Sequence, residues 1–273
     1  MILRISRLFA VCIALFAWSQ ALAQSEPERI TIPLTRPGEP VTLDVSILSA
    51  RIEVIGEDRD DAEFEVSVAD GKRQIITPSG PKPLTTGGYS FEVEESDNQI
   101  SVDTDWRSNR VVFVARIPAD ADLELSTVND GEIIVRNVRG RLQLENANGP
   151  ITATGITGSV IAESINEDID VAFQGIAADE VVSLNSINGN LTVALPANAG
   201  AELHIDTARG EIRSDFEVDV RPSKPIIERN DNQRGVEVRI ESVIIADVNG
   251  GGPVVRLKSL NGNITIANAG TAR

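Results

Sequence analysis

The chain has few residues with which to build a reactive centre. Its 273 residues include one cysteine, one histidine and one methionine, the initiator. The cysteine, Cys12, lies in a leader-like segment, so the mature chain is expected to contain neither disulfides nor thiolate chemistry. Because His204 stands alone, a zinc site built from several histidines is excluded. A Ser-His-Asp triad would have to use His204, which lies between Leu203 and Ile205 and is expected to face outward on a strand.

Basic and aromatic residues are also scarce. The chain carries 25 Lys and Arg against 41 Asp and Glu, and only 4% of its residues are aromatic. Loss of Arg4 and Arg7 with the leader would leave 23 basic residues, a formal charge of 23 − 41 = −18. Such a surface repels phosphate backbones and anionic lipid headgroups, so a nucleic-acid partner is not expected. Cations and basic partners remain open.

Residues 1–23 have the pattern of a secretory signal peptide. Arg4 and Arg7 precede an apolar run from Leu8 to Trp18, and Ala21 and Ala23 form a small-x-small cleavage site. The run is shorter than the roughly 20 residues that span a bilayer, and no later segment approaches that length, so we expect no membrane insertion after cleavage. The segment predicts export, most simply to the periplasm, with the cell surface or the medium as alternatives.

Alternation of apolar and polar residues dominates the remainder, as in "VTLDVSI" (41–47), "AEFEVSV" (62–68) and "VVFVARI" (111–117). No stretch shows the 3.6-residue spacing of an amphipathic helix. Gly, Asn, Asp and Pro mark the breaks between the alternating segments. The sequence therefore predicts an all-β protein.

A repeat of about 20 residues begins near residue 122. Its core is a small polar residue, an apolar residue, Asn, Gly, any residue, then Ile or Leu, as in "SINGNL" (186–191) and "SLNGNI" (259–264). The first copy carries one extra residue (Asp130), the third replaces Gly by Glu167, and the fifth has Arg209 in the Asn slot. The copies begin at Thr127, Asn146, Ser164, Ser186, Thr207 and Ser259. One such unit cannot bury its own apolar edge, so neighbouring units must stack. We predict a parallel β-solenoid with successive coils about 4.8 Å apart; an antiparallel β-sandwich or meander is the alternative, since hairpins also use Asn-Gly turns.

The Asn-Gly pairs are interpreted as corners of this solenoid, not as reactive groups. A corner that turns within two or three residues needs positive φ, which glycine adopts freely and asparagine tolerates. Stacking would also place asparagine above asparagine in a hydrogen-bonded ladder. The predicted structural corner residues are Asn148, Gly149, Asn166, Asn188, Gly189, Gly210, Asn261 and Gly262.

The sequence divides into three parts. Residues 1–23 form the signal peptide, residues 24–121 a strand-rich N-terminal segment continuous with the solenoid, and residues 122–273 the repeats. Prolines and mixed charges interrupt the repeats at about 215–247, which predicts an excursion or long loop. A second irregular stretch, 76–88, resembles an exposed loop.

These turns, with "IPADADLELST" (117–127), "LPANAGAELHIDTARGEIRSDF" (195–216) and "VRLKSLNGNITI" (255–266), resemble a family of exported bacterial proteins. The family is called "putative adhesin", or domain-of-unknown-function family 4097. The resemblance covers roughly residues 40–267. It implies a β-solenoid-like exported domain with no established enzymatic activity and no catalytic residues to assign.

Two acidic groups are the candidates for chemistry. Glu57, Asp58, Asp60, Asp61 and Glu63 could hold a cation, but they lack the ligand spacing and central glycine of a calcium loop, which favours a solvated turn. Asp168 and Asp170 could act as the carboxylate pair of a glycosidase. No basic cluster adjoins that pair, so an outward-facing acidic strand is the simpler interpretation.

We therefore expect a non-enzymatic, adhesin-like or scaffolding module that acts as a monomer without a cofactor or metal. Its partner would be an envelope protein or glycan, met by an acidic face and by loops on a rigid scaffold. The alternative is a carbohydrate-active β-helix enzyme that uses the carboxylate pair.

Overall fold

Strands make up all the regular structure of the computed structural model, which describes residues 28–68, 91–104, 111–129, 131–222, 226–232, 235–241 and 243–270. The predicted signal peptide (1–23) and the predicted loop at 76–88 lie outside these residues. The 23 strands are β1 (Glu28–Pro33), β2 (Val41–Ile47), β3 (Ala50–Glu57), β4 (Asp61–Val68), β5 (Phe91–Ser96), β6 (Gln99–Thr104), β7 (Val111–Pro118), β8 (Ala121–Thr127), β9 (Glu132–Arg136), β10 (Leu142–Asn148), β11 (Ile151–Thr157), β12 (Val160–Asn166), β13 (Ile169–Gly175), β14 (Val182–Asn188), β15 (Leu191–Leu195), β16 (Ala201–Thr207), β17 (Ile212–Ser214), β18 (Val218–Arg221), β19 (Ile226–Asn232), β20 (Gly235–Glu241), β21 (Ile244–Val248), β22 (Val254–Ser259) and β23 (Ile264–Asn268).

Two large sheets form the two faces of a parallel β-solenoid. Sheet 1 has ten strands in the order β1-β4-β7-β3-β9-β11-β13-β15-β23-β17. Sheet 2 has eleven strands in the order β18-β21-β16-β22-β14-β12-β10-β8-β2-β6-β5. Pairing is parallel from β7 to β17 in sheet 1 and from β16 to β6 in sheet 2. The all-β and parallel-solenoid predictions are confirmed, and the antiparallel sandwich is not the architecture of the described residues.

Each coil is one strand of sheet 2, an Asn-Gly corner, and one strand of sheet 1. Alternation directs every second side chain inward, and equivalent residues of neighbouring coils pair in register. Ile133, Ile151, Ile169, Leu191 and Ile264 thus form one continuous column, and all five are fully buried. Each buried aliphatic side chain contributes about 1.5–3 kcal/mol, so the column is a major source of stability.

The order of the coils in space differs from their order along the chain at both ends. The C-terminal coil β22–β23 lies between β14–β15 and β16–β17. At the other end, β2–β3 lies between β6–β7 and β8–β9. The expectation that successive repeats stack on each other is therefore correct from β8 to β15 and wrong for the copy that begins at Thr207. After β15 the chain forms the coil β16–β17 two positions along the stack, and β22–β23 later occupies the position between them.

The predicted excursion at about 215–247 contains strands where a loop was the expectation. Strand β21 pairs antiparallel with β16 and with β18, while β19 and β20 pair antiparallel in a separate two-stranded sheet. At the N-terminal end, β4 pairs antiparallel with β7, and β5 with β6. Antiparallel strands thus cover both sheets of the outermost parallel coil at the N-terminal end and the sheet 2 strand β16 at the other end, while β17 remains the edge of sheet 1. Covered edges are protected from pairing with another chain.

Glu95 lies in β5, one of the antiparallel strands at the N-terminal end, and makes the free energy of unfolding depend on pH. Its carboxylate accepts hydrogen bonds from the Thr35 backbone N–H at 3.1 Å, the Thr35 hydroxyl at 2.9 Å and the Asn98 backbone N–H at 3.0 Å. The Thr35 backbone bond is the main cause that lowers the pKa of Glu95. Stabilisation by a group with a lowered pKa is complete above its unfolded pKa and is lost as the pH falls through the folded value.

We therefore expect Glu95→Gln to be less stable than the parent at pH 7, and the difference to shrink as the pH falls below about 4. Urea unfolding at a series of pH values measures it. Glu92→Gln is the control, because Glu92 lies in the same strand and accepts no hydrogen bond from a described residue. A difference between Glu95→Gln and the parent that stays constant down to pH 3 would contradict the assignment.

Candidate functional site

A ladder of side-chain amides runs along the corner edge between the two sheets, here called the Asn-Gly edge. Asn166 donates to Asn148 Oδ1 at 2.9 Å, Asn188 to Asn166 Oδ1 at 2.9 Å, and Asn261 to Asn188 Oδ1 at 2.8 Å. At the end of the ladder nearest β8, Asn148 Nδ2 donates to the Val128 carbonyl at 2.8 Å. The structure thus brings together the four predicted corner asparagines, although 73 residues separate Asn188 from Asn261.

The four predicted corner glycines serve a different purpose from the one expected. Gly149, Gly189, Gly210 and Gly262 all lie outside the left-handed region, so the prediction of positive φ is wrong for them. A Cβ on any of the four would instead lie 1.6 to 2.0 Å from a carbonyl oxygen of the neighbouring coil. Glycine is required because two backbones approach each other, not because the chain turns left-handed.

Positive φ occurs elsewhere in the coil. Glu167, which replaces glycine in the third copy, has φ of 100°. At the opposite corner, where sheet 1 leads back to sheet 2, Asn137 has φ of 56° and Gly155 has φ of 70° at a β-bulge. Positive φ therefore occurs at both corners, but not at the four glycines that the repeat pattern marks.

A second polar row lies inside the Asn-Gly edge, at the first position of the repeat. Thr127, Asn146, Ser164, Ser186 and Ser259 are all buried. Asn146 Nδ2 donates to the Gly131 carbonyl at 3.1 Å, and Ser259 Oγ to the Gly189 carbonyl at 2.9 Å. These donors satisfy corner carbonyls that would otherwise be buried without a partner. The small polar residue of the repeat is therefore structural.

Asp168 belongs to another series of hydrogen bonds between coils, formed by the residues two positions after the corner asparagines. It accepts hydrogen bonds from the Asn190 backbone N–H at 2.7 Å and from Asn190 Nδ2 at 3.1 Å. Asn190 Oδ1 in turn accepts from the Asn263 N–H at 2.9 Å. Asp170 lies on the outer face of sheet 1, in register with Thr152 and Thr192. Neither aspartate forms an ion pair with a described residue, so the structure gives the proposed carboxylate pair no basic neighbour.

Removing one amide from the ladder should cost measurable stability. Asn166→Ala deletes one donated and one accepted hydrogen bond, and each neutral bond is worth about 1 kcal/mol. We expect the free energy of unfolding to fall by about 1–2 kcal/mol, as measured by urea denaturation. Asn185→Ala is the matched control, because Asn185 is exposed on β14 and has no side-chain partner among the described residues. Equal losses in both variants would mean that the ladder contributes nothing.

Arginine pairs with three of the five carboxylates of the acidic cluster at 57–63. Arg59 Nη1 lies 3.2 Å from Glu57, and Arg59 Nη2 lies 2.7 Å from Asp61. Arg116 lies 3.1 Å from Glu63. The guanidinium groups are thus the cations that these three carboxylates contact in the structure. The described residues contain no group of three or more His, Cys, Asp or Glu side chains that could hold a metal ion.

A cavity of about 540 Å³ opens beside this cluster, at the opposite corner of the solenoid. It is lined by charged groups that include Asp58, Asp60, Asp120 and Arg139. Arg139 Nε donates to Asp120 at 2.7 Å, and this bond lowers the pKa of Asp120 and raises that of Arg139. Asp168 and Asp170 do not line the cavity, so the carboxylate pair that the sequence suggested is not placed there.

His204 is half-buried on the outer face of β16, beside the antiparallel strands β21 and β18. Its Nε2 is 2.7 Å from Glu202 Oε1, and Arg221 Nη2 donates to Glu202 at 2.9 Å. The His204 hydrogen bond, followed by the Arg221 bond, lowers the pKa of Glu202. Arg221 also binds Asp247, which raises the pKa of Arg221. This network connects β16, β18 and β21, and its arrangement is that of a structural clamp.

An exposed aliphatic row accompanies the amide ladder, and nothing in the repeat pattern indicates its exposure. It occupies the second, apolar position of the repeat. Val128 is 42% exposed, Ile165 48%, Ile187 43% and Leu260 50%. The repeat pattern marked this position as apolar, which by itself suggests burial. The corner turns these side chains outward, and this is the one strongly repeated apolar slot that the core does not use.

The comparisons with known proteins identify similar structures but no family. No protein-family model matches the chain, and no characterised protein matches it in sequence. One similar structure is a "putative cell adhesion protein" from Clostridium sporogenes ATCC 15579, with 13% identity, a TM-score of 0.46 and coverage of 89% of this chain and 100% of that one. Another is a "putative adhesin" from Bacteroides fragilis NCTC 9343, with 12% identity, a TM-score of 0.42 and coverage of 89% and 97%.

The described part of the chain also contains no helix that could cross a membrane.

Proposed function

We propose that the protein is an exported, non-enzymatic, adhesin-like binding scaffold of the cell envelope. One observation carries the proposal: the repeated polar side chains bond to one another or to the backbone from coil to coil, and do not converge on a shared point. A reaction centre needs groups that face one substrate atom. Ladders of this kind produce a rigid and regular surface instead.

The sequence motifs support the same proposal. The Asn-Gly turns and the stretches 117–127, 195–216 and 255–266 are the basis of the resemblance to the exported family 4097, and the assignment to that family is part of this proposal. Export to the periplasm is the simplest destination, because the leader has a clear cleavage site and the apolar run is short.

The acidic half of sheet 2 is the surface that we propose for an envelope partner, whether protein or glycan. Asp44, Glu124 and Glu163 are exposed on the outer face of three coils, and Asp44 is in register with Glu124. Acidic rows steer association with basic groups and repel anionic polymers. A partner with cationic or neutral hydrogen-bonding groups fits this face best.

The test separates binding from catalysis. Mature protein is incubated with envelope polysaccharides and with an array of envelope proteins and glycans, and both retention and released reducing ends are measured. Retention without release is expected, and the triple variant Asp44→Asn/Glu124→Gln/Glu163→Gln should lose it. The control is Glu217→Gln/Asp219→Asn, at the other end of the molecule. Release of reducing ends would contradict the proposal, and so would retention that the triple variant leaves unchanged.

A further inference from the structure

The exposed aliphatic row of the Asn-Gly edge forms a continuous ridge across six stacked coils. In their order in space, the ridge residues are Val128, Ala147, Ile165, Ile187, Leu260 and Ala208. Successive coils lie about 4.8 Å apart, so the row is evenly spaced. A contiguous apolar patch on an otherwise strongly acidic surface marks an interaction site more often than chance exposure does.

We propose that this ridge is a self-association surface, and that its partner is a second copy of the chain packed antiparallel about a two-fold axis. The axis lies between the Ile165 and Ile187 coils and is perpendicular to the stack. Ile165 then faces Ile187 of the second copy. At the outer coils, Leu260 faces Ala147 and Val128 faces Ala208, so a large side chain meets a small one and all six coils are used.

Charge selects the antiparallel arrangement over the parallel one. A two-fold axis perpendicular to the stack keeps sheet 2 of one copy beside sheet 2 of the other. Glu145 and Lys258, each two residues before its ridge residue and exposed on sheet 2, then lie opposite each other. A parallel pair would instead bring the sheet 2 side of one copy to the sheet 1 side of the other, and place Glu163 near Asp168. Opposite charges across an interface fix its register, and like charges exclude the alternatives.

The amide ladder suits the same contact. Its asparagines flank the ridge, and each amide still has a second N–H and an acceptor lone pair after the ladder bonds are made. In the antiparallel arrangement, Asn166 faces Asn188 and Asn148 faces Asn261 of the second copy. Lys258, which pairs with Asp206 at 2.9 Å within its own chain, is shared with Glu145 of the other.

The association should be weak and reversible. Four half-exposed aliphatic side chains form a contact at the small end of specific interfaces, and each copy carries a formal charge of −18 without the leader. At physiological ionic strength the screening length is about 8 Å, which removes most of the long-range repulsion but preserves close charge pairs. The structure therefore predicts a concentration-dependent dimer where the sequence alone suggested a monomer. This inference does not depend on the proposed envelope partner.

Sedimentation equilibrium of the mature chain between about 10 µM and about 1 mM in 0.15 M NaCl tests the proposal. The weight-average mass should rise towards twice the monomer mass. Ile187→Asp should keep it at the monomer value, whereas Ile161→Asp, an exposed aliphatic site outside the ridge (42% exposed), should not change it. Thermal unfolding of each variant confirms that it is folded.

The charge pair provides a second and independent test. Lys258→Glu should weaken dimerisation by about tenfold. The two-fold axis creates two contacts between residue 258 of one copy and Glu145 of the other, and the substitution makes both of them repulsive. The double variant Glu145→Lys/Lys258→Glu should restore it. A mass that stays monomeric over the whole range would overturn the proposal. A dimer that neither Ile187→Asp nor Lys258→Glu weakens would overturn it as well, and so would a double variant as weak as Lys258→Glu alone.

Discussion

Replacing Gly189 with alanine should lower the free energy of unfolding by roughly 3 kcal/mol, the upper end of what overpacking costs. The added Cβ would lie 1.9 Å from the Glu167 carbonyl oxygen and 2.5 Å from its carbon. Both atoms belong to the backbone of the adjacent coil, so no side chain can rotate away. The coils would have to move apart locally, which strains the ladder bond between Asn188 and Asn166.

Gly175→Ala is the matched control for this change. Gly175 ends a strand of the same solenoid, its φ lies outside the left-handed region, and a Cβ there would meet nothing within 4 Å. Its free energy of unfolding should stay within about 0.5 kcal/mol of the parent. Urea denaturation of both variants decides the matter. Equal effects at Gly189 and Gly175 would show that the coils do not approach as closely as the corner requires.

Replacing Ile169 with alanine should lower the free energy of unfolding by about 2–5 kcal/mol. Ile169 is fully buried and lies between Ile151 and Leu191 in the interior column. The cavity cannot collapse easily, because the hydrogen-bonded coils on both sides hold their spacing.

Ile161→Ala is the control for this substitution, since the same coil carries Ile161 on its outer face with 42% exposure. That variant should change the free energy of unfolding by no more than about 0.5 kcal/mol. Comparable destabilisation at both sites, measured by urea unfolding, would mean that Ile169 does not face the interior.

The sequence alone is sufficient for the local architecture. Alternation distinguishes inward from outward residues without any tertiary information, so Ile133, Ile151, Ile169, Leu191 and Ile264 could be assigned one common slot. Their in-register pairing follows once the slots are stacked. The repeat period likewise marks the corners at Asn148, Asn166, Asn188 and Asn261, because few residues other than asparagine can bond both to a neighbouring copy and to a turn.

The order of the end coils could not be predicted from local pattern. Strands β16 and β22 both alternate with apolar residues inward, and either one could extend sheet 2 from β14. Which of the two strands lies next to β14 depends on long-range packing and on the antiparallel strand β21, which pairs with β16 and in turn with β18. The same limit explains why the excursion was interpreted as a loop: its prolines and charges obscured four strands.

Two features of the Asn-Gly edge depend on three-dimensional distance and so were missed. Glycine in a repeated turn suggests positive φ, but the restriction at Gly189 and Gly262 comes from a carbonyl of another coil, which sequence spacing does not reveal. An apolar repeat position suggests a core, but Ile165 and Ile187 lie on the convex side of a corner. A one-dimensional pattern shows neither feature, because it records residue type and not the direction of curvature.

Disulfide trapping of the coil order tests the central claim most directly, because register pairing of stacked coils underlies every feature described above. In the mature chain, which lacks Cys12, Ser183→Cys is combined with either Arg256→Cys or His204→Cys. Ser183 pairs in register with Arg256, which in turn pairs with His204. The Ser183–Arg256 pair is one coil apart, within the roughly 4.4–6.8 Å Cα separation that a disulfide spans, and the Ser183–His204 pair is two coils apart. Mild oxidation should cross-link the first pair rapidly and leave the second reduced; cross-linking of the second pair, or of neither, would contradict the structure.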